Sequence, residues 1–152
     1  RTESCNEIVH RGKSQFSNSV SKSFANEAVS SMTIQMPSYR IVRNESGYMY
    51  AEYLIIITLG GRGAVTFGIW KRHSHFAQLA KTIQDLDLRL PKPHTFKNAL
   101  LSWQCVQQQK RWYKCLDTAH LELKCFLIER FMQDLLFETH TSKIISEFLG
   151  LQ

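Results

Sequence analysis

The residues best suited to chemistry lie together in the segment KRHSHF, residues 71–76, which holds two basic side chains and two histidines. The stretch before it, AVTFGIW, is typical of an apolar strand, and the stretch after it repeats apolar residues at helical spacing. The segment therefore predicts a strand end that meets the amino terminus of a helix, with Ser74 as the capping residue. Such a terminus has unpaired N–H groups and partial positive charge, and both attract anions.

Positive charge is concentrated around this junction. The chain has a net charge of +6, and residues 71–124 hold ten Lys or Arg against four Asp or Glu. We therefore expect an anionic partner, with phosphate as the candidate group, in a lipid headgroup or in nucleic acid. The segment QQQKRWYK, residues 107–114, mixes cations with aromatics and carries the nucleic-acid alternative. We favour the lipid headgroup, because that segment also fits a helix in which Trp112 packs.

No residue pattern predicts catalysis. The sequence has no nucleophile flanked by glycines, no phosphate-binding GxxxxGK loop and no pair of carboxylates in an apolar run. His75 with His73 or His94 lacks the further ligands of a metal site. The cysteines form no CxxC pair and are expected to be reduced thiols: Cys5, Cys105, Cys115 and Cys125. We therefore expect a binding protein without a metal or cofactor.

The elements that position the junction begin after a serine-rich segment. Residues 1–31 contain eight serines and no sustained apolar period, which predicts a disordered leader or linker, so the folded domain is expected to span residues 32–152. MTIQMPSYRIV predicts an edge strand with a bulge at Pro37. Two more strands, YMYAEYLIIITLG and AVTFGIWKR, complete a predicted antiparallel meander, in which Trp70 and Arg72 share one face.

Helices are predicted after the strands. Phe76, Leu79, Ala80 and Ile83 form the apolar stripe of the first one. A proline-containing loop, LDLRLPKPHTFKN, follows it, and further helices are predicted over residues 99–115, 119–137 and near the carboxyl end. Strands followed by helices indicate an α+β fold, a three-stranded antiparallel β-meander packed against a helical subdomain, with the proline loop between the first and second helices.

Three segments in this order resemble the PX (phox homology) domain family. KRHSHF resembles the family's strand-to-helix signature of two basic residues, an aromatic residue, Ser, any residue and Phe, and departs from it at His73. LRLPKPHTFKN resembles the family's proline loop, and LELKCFLIERFMQDLL resembles its later helix. The resemblance covers Met32 to about Leu149. It implies a module that binds phosphoinositides, most often phosphatidylinositol 3-phosphate, on endosomal membranes.

The resemblance also implies roles for single residues. Arg72 falls at the position that grips the 3-phosphate, and His73 at the position that stacks under the inositol ring. Lys92, one position before the family's lysine, or Lys97 would meet the 1-phosphate. Lys124 falls where an arginine holds the ring hydroxyls, and lysine lacks the planar fork for that bidentate contact.

The loop residues Leu90 and Phe96 correspond to the family's membrane-contact loop, in which cations would add ~1 kcal/mol each on an anionic leaflet. The alternative is that Phe96 packs beneath the loop. The chain shows no secretion signal, and its longest apolar run, Tyr53–Leu59, falls short of the ~20 residues of a membrane span. We therefore expect a cytoplasmic protein that associates peripherally with phosphoinositide-bearing membranes. The departures at His73 and Lys124 keep an alternative open, in which a PX-like fold binds partner proteins without specific lipid recognition.

Overall fold

The computed structural model describes residues 6–25, 27–61, 63–92, 94–109 and 116–151, and within them five strands precede four helices. The strands are β1 (Glu7–Lys13), β2 (Val20–Ser23), β3 (Ser31–Arg43), β4 (Met49–Gly60) and β5 (Val65–Arg72). The helices are α1 (His73–Arg89), α2 (Lys97–Gln108), α3 (Thr118–Glu138) and α4 (Lys143–Phe148). The predicted α+β class is confirmed. None of the helices among the described residues is long and apolar enough to cross a membrane.

The sheet is antiparallel and has five strands where three were predicted. Its order is β1-β3-β4-β5, and β2 also pairs with β3, beyond the end of β1. β1 and β2 occupy two stretches of the segment that was predicted to be disordered, so that prediction is wrong for them. Both strands are polar and largely exposed, and they are held by backbone pairing along β3, such as Gly12 with Tyr39 and Val20 with Ile34. Composition gives no sign of such pairing.

β3 lies inside the sheet, although Pro37 predicted an edge strand. The predicted bulge is present, because pairing with β4 shifts register between Gln35 and Ser38. On the other side of β3, β1 pairs with residues 38–43 and β2 with residues 31–34. Pro37, which has no N–H to donate, thus lies in the gap between two partner strands. Its carbonyl oxygen accepts a hydrogen bond from the Ser14 N–H at 2.7 Å.

Hydrogen bonds to a buried carboxylate connect this bulge to α3. Glu129 of α3 is almost fully buried and accepts hydrogen bonds from the Met36 N–H at 2.7 Å, the Asn18 N–H at 3.2 Å and the Ser17 hydroxyl at 2.5 Å. A buried carboxylate needs such donors, because its loss of hydration is otherwise uncompensated. Glu129 thus ties the β1–β2 connection and the centre of β3 to one helix.

The hydrophobic core lies between one face of the sheet and the helices. Alternate residues of β3 and β4 are fully buried, and so is the predicted apolar stripe of α1: Met32, Ile34, Met36, Tyr53, Ile55, Ile57, Phe76, Leu79, Ala80 and Ile83. Each of the Leu, Ile, Met and Phe side chains among them stabilises the fold by about 1.5–3 kcal/mol on burial. This packing fixes the end of β5 against the first turn of α1.

Two predicted segments fall partly outside the described residues. The helix predicted over residues 99–115 is α2, which ends at Gln108. Residues 110–115 hold all the cations and aromatics of the nucleic-acid alternative, and they are not among the described residues. The same applies to Pro93 of the predicted proline loop, which connects α1 to α2.

Candidate functional site

The junction of β5 with α1 is built by a backbone contact that differs from the predicted one. α1 begins at His73 with Arg72 as its N-cap, so Ser74 lies inside the first turn and does not cap the helix. Instead, the Arg72 N–H donates to His75 Nδ1 at 3.0 Å. The accepting nitrogen must be unprotonated. Partial burial, together with the charges of Lys71 and Arg72, lowers the pKa of His75 and favours this neutral form.

The guanidinium group of Arg72 is held over the ring of Tyr50, with its central carbon 3.9 Å from the ring centroid. Arg72 lies on the face of the sheet that points away from the helices, with Trp70, as the alternation of β5 predicted. Glu52 is directly opposite Arg72 on β4, but its carboxylate is bound by Arg40 at 2.8 Å. Arg40 in turn lies over the Trp70 ring, 4.1 Å from its centroid.

The guanidinium group of Arg72 is therefore held in position by an aromatic ring and, among the described residues, not by an ion pair. No carboxylate among the described residues forms an ion pair with Arg72. A cation–π contact orients a guanidinium group while leaving its in-plane N–H donors accessible. Arg72 can therefore present a donor fork to an anion.

The first turn of α1 adds to the positive electrostatic potential around Arg72. It contains no acidic residue, and the N–H groups of His73, Ser74 and His75 have no acceptor in a preceding helical turn. Lys71 lies on the opposite face of β5 from Arg72, over the Phe148 ring at 5.1 Å. Two cations thus flank the positive end of a helix of 17 residues.

His73 turns toward the helical layer. Its ring centroid lies 5.4 Å from that of Trp103 on α2, and Trp103 lies 5.1 Å from Phe131 on α3. One side of the predicted stacking platform is therefore packed against α2. Trp103 was not predicted as part of this site, and its position in the apolar stripe of α2 is the only signal that could have indicated it.

Lys124 lies on α3 seven residues before Phe131, which places it about 10 Å along the helix from this aromatic row. It is half-buried, and burial lowers the pKa of its ammonium group. Within the described part of the chain, no residue forms a hydrogen bond or ion pair with that ammonium group. A partly desolvated cation without a partner favours the approach of an anion.

Lys92 and Lys97 lie near the other end of α1. Both are exposed, and the segment between them is tied down where the Phe96 N–H donates to Asp87 Oδ1 at 3.2 Å. Asp87 is fifteen residues after Arg72, or about 22 Å along an α-helix. The described contacts do not bring either lysine together with Arg72.

The predicted membrane-contact residues require a correction. Phe96 is 3 % exposed and belongs to the core, so it cannot reach a bilayer, and Leu90 is half-buried against that core. Leu88, which was not predicted, is 82 % exposed. The signal was present in the sequence, because Leu88 falls off the helical stripe that begins with Phe76 and Leu79 whereas Leu90 continues it.

Comparison of the chain with protein-family models, with curated proteins and with solved structures gives no match. The resemblance to the PX family therefore rests on the sequence motifs alone. The geometry of the β5–α1 junction is independent of that resemblance, and it describes a site suited to an anion.

Proposed function

We propose that this chain is a PX-like module that binds the phosphorylated headgroup of a phosphoinositide at the β5–α1 junction. Phosphatidylinositol 3-phosphate on cytoplasmic, endosomal membranes is the first candidate. One observation carries the proposal: next to the amino terminus of α1, the Arg72 guanidinium group is oriented by Tyr50 and has no carboxylate partner among the described residues.

The chemistry of the junction suits a phosphate. A guanidinium fork can donate two parallel hydrogen bonds to phosphate oxygens, and the N–H groups of the first helical turn can donate to the same group. The half-buried ammonium group of Lys124 would regain, from an anionic headgroup, part of the hydration energy that burial removes. His73 would contact the headgroup through the edge of its imidazole ring, because one face of the ring packs on Trp103.

Membrane contact is proposed along α1. Leu88 exposes an apolar side chain at the carboxyl end of this helix, beside Arg89 and Lys92. If α1 lies along the surface of an anionic leaflet, Arg72 can meet a headgroup while Leu88 enters the interface about 24 Å away. Lys92 and Lys97 would then contact other lipids than the one held by Arg72.

A specific observation favours a second candidate function, a protein-interaction module without specific lipid recognition. The cations that the PX resemblance assigns to one headgroup lie at two ends of α1 in this fold. Binding by a divided set of cations favours an extended anionic surface over a single small headgroup.

The experiment is sedimentation with liposomes that each carry one phosphoinositide isomer in a neutral lipid background. We expect the native chain to bind 3-phosphate liposomes in preference to its isomers. Arg72→Ala should lower the affinity about tenfold or more, since a charge-assisted hydrogen bond is worth roughly 1.5–3 kcal/mol. Arg72→Lys should recover only part of it, because lysine lacks the fork.

Arg130→Ala is the matched control, because it removes the same charge from an exposed side chain on α3. Leu88→Asp separates membrane contact from headgroup recognition: it should weaken liposome binding and leave binding of a soluble headgroup intact. Equal binding to all anionic liposomes, unchanged in Arg72→Ala, contradicts the lipid proposal and favours the second candidate function.

A further inference from the structure

β5 is an edge strand of the sheet in the described part of the chain. β5 is the last strand in the sheet order, and it pairs with β4 without a register shift from Val65 to Arg72. No strand among the described residues pairs with its other edge. Natural edge strands are usually guarded by a charge, a proline or a bulge, and residues 65–70, VTFGIW, contain none of these.

The hydrophobic core is also open on this side. Phe67 and Ile69 face the helices and remain half-buried, whereas Ile57 and Ile55, their partners on β4, are fully buried. Val65 is 54 % exposed. A further strand along β5 would cover the free sides of these residues and would pair the free backbone groups.

The charge at this edge indicates which kind of segment would pair with β5. β5 ends in Lys71 and Arg72, next to the acid-free first turn of α1, so this end of the edge carries a positive field. A second copy of the chain would bring another net charge of +6 to the same edge. An acidic segment complements this field, and antiparallel pairing, which is slightly more stable per residue than parallel pairing, would place its amino-terminal end opposite Lys71.

We infer that the outer edge of β5 docks an extended acidic segment of a partner protein, which adds to the sheet as a strand antiparallel to β5 with its acidic residues next to Lys71 and Arg72. This is β-strand addition, in which main-chain hydrogen bonds supply affinity and alternate side chains supply specificity. The inference does not depend on lipid binding.

The test is selection of a random peptide display library on the native chain, followed by hydrogen exchange with the selected peptides. We expect the peptides to alternate β-branched residues and to carry Asp or Glu toward their amino-terminal end. Their binding should protect the β5 amides that exchange freely in the chain alone. A matching peptide with Lys in place of the acidic residues should bind about tenfold more weakly.

Thr66→Asp places a charge on an exposed position in the uncharged part of β5, which the docked segment would cover, and should weaken peptide binding about threefold or more. Thr141→Asp makes the same change on an exposed position between α3 and α4 and should have no effect. Both variants should still bind the liposomes that the native chain binds, which separates this inference from the lipid proposal.

Three results would overturn the inference. They are the failure of any peptide to be enriched, protection of a surface other than β5, and a native chain that sediments as a dimer with β5 already protected. The last result would assign the edge to a second copy.

Discussion

Arg72 shows which features of the candidate site can be predicted from the sequence. Strand alternation predicted that it shares a face with Trp70, and the structure agrees. The partners of Arg72 could not be predicted, because they depend on the register between β4 and β5, which places Tyr50 under its guanidinium group and Glu52 opposite it. Nor could the sequence show which cation binds Glu52: its carboxylate pairs with Arg40, and Arg72 has no carboxylate partner in the part of the chain that the structure describes.

His75 carries a prediction about pH. Its pKa is lowered in the folded chain, so the unfolded state binds its proton more readily, and stability contributed by His75 is full above the ordinary pKa of about 6.5 and is lost as the pH falls below it. We expect the free energy of unfolding to fall more between pH 7 and pH 5.5 in the native chain than in His75→Gln. The difference should be a few tenths of a kcal/mol, because the side chain is exposed and screened.

The measurement is urea unfolding at both pH values, and the comparison with His75→Gln removes the contribution of the other five histidines. Glutamine retains an acceptor for the Arg72 N–H but does not titrate. Parallel pH dependences in the two proteins would show that the hydrogen bond of His75 is not linked to protonation.

Helices were easier to predict than strands, and the reason is local. The apolar period predicted a helix over residues 119–137, and α3 runs from Thr118 to Glu138. β1 is exposed almost throughout and β2 has only four residues, so neither shows an apolar period in the sequence, and both are held by pairing with β3. Glu129 was missed for a related reason, since an acidic residue in a helix sequence gives no indication of the donors that other elements bring to it.

Glu129 connects α3 to two parts of the sheet, so its removal should lower the stability of the fold. Glu129→Ala leaves the buried Met36 N–H and two further donors without their acceptor, so we expect it to lower the free energy of unfolding by about 3 kcal/mol. Glu129→Gln keeps one acceptor oxygen and should cost less. The control is Glu122→Ala, on the same helix but half-buried.

Urea unfolding curves for the three variants make the comparison. If Glu129→Ala and Glu122→Ala unfold at the same urea concentration, then Glu129 does not fasten the β3 bulge and the β1–β2 connection to α3.

Across the whole molecule, the basic residues that were predicted to line one pocket lie apart in the fold. The motifs place Arg72, His73, Lys92, Lys97 and Lys124 in the order of the PX family. The length of α1, and the contact between Phe96 and Asp87, keep Lys92 and Lys97 near the end of the helix remote from Arg72. The order of motifs along a chain does not predict such distances, because they depend on the contacts that hold each loop in place.

Our claim that the β5–α1 junction binds the phosphorylated headgroup can be tested by NMR titration with inositol 1,3-bisphosphate. We predict saturable shifts of the amides of residues 72–76 and of the Arg72 side-chain N–H, smaller shifts around Lys124, and their loss in Arg72→Ala. Shifts confined to Lys92 and Lys97, or no saturable shift at all, would contradict the claim.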